Sequence, residues 1–208
     1  MNVGAREAFD LAVAWVALGV AFTVFLQREL VNVLFGGLAG TVPEGLVAAA
    51  GQAFALSMVT VGVGFLLHEL AHKVVAIRFG QVAAFRADYT MLGLAIASGL
   101  AGFLVAAPGA VYHRGRITKR ENGIIAVAGP LTNAGLATLF FVAFLLIDDG
   151  FLLELCRMGV LINVFLGVFN MIPWGPLDGR TVLDWNGPVF GFVLIPQVLF
   201  GVAFLSWF

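Results

Sequence analysis

From Ala53 to Leu67 the chain carries no charged side chain, and this run leads straight into His68-Glu69-Leu70-Ala71-His72. A stretch so apolar, continued through those five residues, fits a helix long enough for a hydrocarbon core of about 30 Å. Ionisable side chains at that depth are expensive to bury and mark functional sites by default. Composition agrees: 61% of the 208 residues are hydrophobic and only 11% charged, where a soluble domain carries about a quarter charged residues. With a mean hydropathy of +1.03, a soluble fold would need an unrealistically small wet surface. The reading is an integral, multi-pass membrane protein in contact with a lipid bilayer. A net charge of −1 gives no reason to expect nucleic acid as a partner, which needs a clustered basic surface. Cys156 stands alone, so no intrachain disulfide is possible, and it reads as a small buried apolar side chain.

Along the chain, a first span is expected from about Ala8 to Leu26, closed by Gln27, Arg28 and Glu29. The N-terminus does not read as a cleavable signal, because Arg6 is balanced by Glu7 and Asp10. Residues 30–50 contain Gly36, Gly37, Gly40 and Pro43, which suit a loop or a shallow interfacial segment. The second span starts near Leu46, carries the histidine pair and ends around Gly80, with Lys73 and Arg78 in its last turns. Residues 82–89 fit a short strand. The apolar run 90–107 is either a crossing or a re-entrant hairpin. Basic residues on both sides of it (Lys73, Arg78 and Arg86 before, Arg114, Arg116, Lys119 and Arg120 after) favour the hairpin. Further spans are expected at about 123–147, 151–172 and 189–208, the last interrupted by Pro196. No hydrophilic stretch is long enough for a separate soluble domain, so one membrane-embedded domain is expected over 1–208, its core at about 50–185.

Two histidines four residues apart share one helix face and can direct a ring nitrogen each at one metal ion. A glutamate between them can act as general base toward a water held by that metal. The pattern recurs by chance, and the alternative is a pair of helix histidines satisfied by neighbouring side chains. A catalytic zinc site also needs a third protein ligand and an open position. Cys156 and His113 are possible, though His113 falls in a basic loop. Glu121, Asp148, Asp149 and Glu154 lie at expected span ends, where solvated charge is ordinary. Asp178 differs, because it lies in NMIPWGPLDGR, residues 170–180, where two prolines and two glycines break the helix amid apolar surroundings. Broken backbone at membrane depth is tolerated only when buried in protein or beside a watery cavity. Spacing alone leaves Asp178 either a ligand on that break or part of a surface turn.

HELAH at 68–72, GPLTN at 129–133 and NMIPWGPLDG at 170–179 occur in an order that resembles the site-2 protease family of intramembrane zinc metalloproteases. The three motifs cover about residues 50–185. The resemblance implies that His68, His72 and Asp178 hold one zinc ion per chain. Glu69 matches the general base, and Asn133 and Asn170 match positions that hold substrate or shape the site. An amide suits that task because it both donates and accepts hydrogen bonds, although helix–helix bonding is the ordinary use of asparagine in membranes. Residues 102–113 resemble the family's membrane-embedded strand region, and strand addition is a general way to bind extended peptide. The residues 90–101 before it are additional to the simplest members.

The expectation is therefore an all-α polytopic membrane protein with five or six transmembrane helices and a small membrane-embedded strand or re-entrant element. It would be a zinc endopeptidase cutting transmembrane segments of other membrane proteins, in a minimal form without PDZ or nucleotide-binding domains. A prokaryotic cell membrane is expected, with the active site open to the cytoplasmic side near the basic loop 113–120. Two rivals remain at this stage, a membrane metal transporter and an inactive relative that binds membrane helices.

Overall fold

The computed structural model describes residues 3–35, 42–105 and 108–207. In chain order the elements are α1 (Ala5–Leu26), α2 (Arg28–Leu34), α3 (Leu46–Ser57), a π-helical turn (Met58–Gly62), α4 (Val63–Arg78), β1 (Val82–Ala87), α5 (Tyr89–Ala101), β2 (Gly109–Arg114), α6 (Lys119–Phe144), α7 (Gly150–Asn170), α8 (Asp178–Trp185) and α9 (Gly187–Trp207). Among the described residues, five helical stretches are long and apolar enough to cross a membrane: Ala5–Leu26, Leu46–Arg78, Lys119–Phe144, Gly150–Asn170 and Gly187–Trp207. β1 and β2 pair as a two-stranded sheet. The architecture is thus all-α and polytopic with one small sheet.

The apolar run at 90–107 yields α5, a helix of 13 residues. At 1.5 Å per residue it rises about 20 Å, short of a hydrocarbon core of about 30 Å. Residues 106 and 107 of that run lie outside the described residues. At 189–207 the chain forms one helix that continues through Pro196, and residue 208 lies outside the described residues. The 30–50 region, expected as a loop or a shallow interfacial segment, contains most of α2 and the start of α3, while 36–41 lie outside the described residues.

Contacts group the chain into two compact units rather than one continuous core. The first is chiefly Gly64–Phe85 and Val111–Phe208, the second chiefly Gly4–Val63 and Arg86–Ala110. In the second unit, Trp15 on α1 donates from Nε1 to the carbonyl of Met58, the first residue of the π-helical turn, at 2.8 Å. Arg28 donates to the carbonyls of Gly99 and Leu100 at the end of α5, at 3.0 and 3.1 Å, where a cation meets the negative end of the helix dipole. Asp10 accepts from Tyr89 at 2.6 Å and pairs with Arg86 at 3.4 Å.

The first unit holds all of the sequence motifs. Leu, Ala, Glu and Lys around the histidines of α4 are good helix formers. That helix stops at Gly80, whose φ of +74° suits glycine without strain. There the amides of Gly80 and Gln81 bond the carbonyls of Ile77 and Ala76, closing the helix end. α6 begins with a capping box, Thr118 and Glu121 bonding each other's backbone amides; this gives Glu121 its role at a boundary. α8 starts at Asp178, and a carboxylate there faces the positive end of the helix dipole. Its neighbour Gly179 lies directly on the Met171 backbone, leaving no room for a Cβ. Val182 of α8 is buried with Ala126, Val127, Met171 and Val193, so α6, α9 and Met171 just past the end of α7 together fix where Asp178 stands.

Candidate metal centre

His68 and His72 are one helical turn apart on α4, and both are buried. Their Nε2 atoms lie 3.0 Å apart. Asp178 Oδ2 closes a triangle with them, 3.2 Å from His68 Nε2 and 3.3 Å from His72 Nε2. That oxygen is buried and takes no hydrogen bond from the described residues. Among the described residues these three form the group able to hold a metal ion.

The outer ring nitrogens determine what the inner ones can do. His72 Nδ1 contacts the Ile125 carbonyl at 2.7 Å, which can only accept, so Nδ1 carries the proton. Pro130 lies in α6 and lacks the N–H that would bond the Ala126 carbonyl. His68 Nδ1 meets Asn133 Oδ1 at 2.6 Å. With both Nδ1 positions protonated, both neutral imidazoles present lone pairs at Nε2, facing each other and a carboxylate oxygen.

Three electron-rich atoms so close repel unless a proton or a cation lies among them. Zinc bonds nitrogen and oxygen at about 2.0–2.1 Å, so tetrahedral ligands lie about 3.3 Å apart. The observed edges of 3.0, 3.2 and 3.3 Å match that spacing. The floor of the triangle is a glycine: a Cβ on Gly129 would lie 2.5 Å from the Nε2 atoms of both His68 and His72. Any side chain there would fill the space between the ligands. Two imidazoles and a carboxylate are a donor set that suits zinc, and three protein ligands would leave a fourth position for water.

Glu69 follows His68 on α4 and is buried. Its Oε2 accepts from the Val111 amide of β2 at 3.1 Å, which holds the carboxylate beside the strand. Asn133, expected to hold substrate, is fully buried. Its oxygen accepts from His68, and its Nδ2 donates to Asn163 Oδ1 at 3.0 Å and to the Gly64 carbonyl at 3.3 Å. With every polar atom engaged inside the protein, Asn133 supports a histidine and has no amide hydrogen left for a peptide. Asn170 donates to the Leu166 carbonyl of its own helix at 2.9 Å. Cys156 and His113 belong to no metal-binding group among the described residues.

Sequence reading passed over Asn163, Gly129 and the Ile125 carbonyl. Asn163 was detectable in principle. It is an amide inside an apolar helix, two turns before Asn170 and on nearly the same face, and polar groups in such helices usually have a specific partner.

The chain is 39% identical over 186 residues to the Methanocaldococcus jannaschii protein named "Putative zinc metalloprotease MJ0611", covering 88% of this chain and 97% of that relative. It is 30% identical over 146 residues to the Bacillus subtilis protein named "Putative zinc metalloprotease YwhC", covering 61% of this chain and 67% of that one. No family model and no solved structure matches it.

Proposed function

The chain belongs to the zinc metalloprotease family of these two relatives, and from that premise we propose that it is an intramembrane endopeptidase of the site-2 protease type. The observation that carries the reading is the convergence of His68, His72 and Asp178 within 3.0–3.3 Å of one another, next to Glu69, on a helix stretch long and apolar enough to cross a membrane. His68 and His72 through Nε2 and Asp178 through Oδ2 would hold one zinc ion. That ion supplies Lewis acidity toward a peptide carbonyl and lowers the pKa of a water.

Glu69 would take a proton from water as the water oxygen bonds the scissile carbonyl carbon, and pass that proton to the amine nitrogen as the C–N bond breaks, leaving a carboxylic acid and an amine. The Val111 amide keeps the Glu69 carboxylate turned toward β2. The substrate is a transmembrane segment of another membrane protein, unwound so that its backbone lies extended beside the small sheet. The basic residues in 113–120 favour entry of water from the cytoplasmic side. Relatives in an archaeon and a bacterium support a prokaryotic membrane.

The test uses purified full-length protein in lipid nanodiscs with zinc and a membrane substrate whose helix is weakened by glycine or proline. The parent should cut it. Glu69→Gln should lower the rate at least about a hundredfold, within the range of general acid–base contributions, while zinc stays bound at one per chain. A variant that cuts as fast as the parent would rule out Glu69 as the base. Zinc movement across vesicles without cleavage would favour a transporter instead.

A further inference from the structure

Asn163 belongs to no sequence motif, yet it is fully buried in α7 and joined to the metal centre by a one-way chain of hydrogen bonds. Asn163 Nδ2 donates to the Gly159 carbonyl at 2.9 Å. Its Oδ1 accepts from Asn133 Nδ2 at 3.0 Å, and Asn133 Oδ1 in turn accepts from His68 Nδ1 at 2.6 Å. An amide turned end for end keeps its shape but exchanges donor and acceptor. If Asn133 were reversed, its NH2 would face His68 Nδ1, the ring proton would move to Nε2, and Nε2 could no longer bind a metal.

The Gly64 carbonyl alone holds Asn133 weakly against that reversal, at 3.3 Å. Asn163 provides the shorter contact. Its own direction is fixed because the Gly159 carbonyl can only accept. Space for its oxygen comes from Gly64, one turn before His68, where a Cβ would lie 2.8 Å from Asn163 Oδ1.

We propose that Asn163 is a positioning residue for the metal centre, which sets the tautomer of His68 by fixing the orientation of the Asn133 amide. This rests on the metal-site reading above. A purely structural role, joining α6 to α7, is the competing explanation. It predicts that removing Asn163 lowers stability without changing the affinity for zinc.

The experiment measures zinc affinity by chelator competition on full-length protein in nanodiscs, for the parent, Asn163→Ala, Asn163→Leu and Asn163→Asp. Leu fills similar volume without an acceptor. Asp, neutral when buried, keeps a carbonyl for Asn133 and an O–H for Gly159. Ala and Leu should weaken zinc binding about tenfold, the lower end of what outer partners of a ligating histidine contribute, and Asp should stay within about threefold of the parent. Imidazole nitrogen NMR of the metal-free parent and Asn163→Asp should show the His68 proton on Nδ1, with an Nε2-protonated ring appearing in Asn163→Ala and Asn163→Leu. A proton on Nε2 in the parent overturns the proposal even if the apolar variants fail to fold. Parental affinity in folded Ala and Leu variants, weak binding in the Asp variant, or a His68 proton on Nε2 in the parent would overturn the proposal while leaving the metal site intact. A parent that binds no zinc would overturn the metal-site reading itself, and this inference with it.

Discussion

Gly129→Ala tests the metal centre without touching a ligand. The new methyl carbon would lie 2.5 Å from Cε1 and Nε2 of His68 and 2.5 Å from Nε2 of His72. Non-bonded atoms prefer about 3.5 Å, so the rings must retreat by about 1 Å. Neither ring is free to do so, because His68 is held at Nδ1 by Asn133 at 2.6 Å and His72 by the Ile125 carbonyl at 2.7 Å. Zinc sites tolerate deviations of about 0.2 Å in ligand distance. Two of three protein ligands are therefore moved out of range, and affinity should fall at least about a hundredfold, or about 2.7 kcal/mol. Chelator competition measures this directly. Gly135→Ala is the matched control on the same helix, because a Cβ there meets nothing within 4 Å; it should bind zinc like the parent and gain about 0.5–1 kcal/mol of helix stability. If Gly129→Ala folds and holds zinc within about threefold of the parent, the triangle of His68, His72 and Asp178 is not where the metal sits.

Other changes probe the neighbouring links. Asp178→Asn keeps the shape of the side chain but removes its negative charge, so zinc affinity should drop at least about tenfold, read by the same competition assay. Gly64→Ala places a methyl 2.8 Å from Asn163 Oδ1 and should weaken zinc binding in the manner of Asn163→Ala; unchanged affinity would argue that the amide chain adapts. Saturating zinc at about 100 times its Kd should stabilise the parent by about 2.7 kcal/mol. Thermal unfolding with and without chelator would show this as a shift in Tm, and none is expected in the double variant His68→Ala/His72→Ala.

Much of this protein is legible along the chain because the relevant physics is local. The 3.6-residue period alone puts His68 and His72 on one face, and apolar length alone marks the five spans. Gly80 ends α4 through a backbone conformation that glycine adopts freely. The run at 90–107 was harder, since its composition fits a span, and only the helix end at Ala101 shows it to be too short. Asn133 shows a different limit. Its residue type suits peptide binding as well as histidine support, and only the placement of three helices decides between them.

Residue order therefore fixed a membrane chain with a histidine pair and a downstream carboxylate able to join it. Tertiary structure alone decided that Asp178 does meet the pair, because the approach depends on α8 packing through Val182 against α6, α9 and Met171. It also decided which nitrogen of each histidine faces inward. A hydrogen bond has a direction, and that direction is set by acceptors such as the Ile125 and Gly159 carbonyls, which come from segments remote in sequence. Spacing can propose the ligands of a metal; their protonation is settled by what stands behind them.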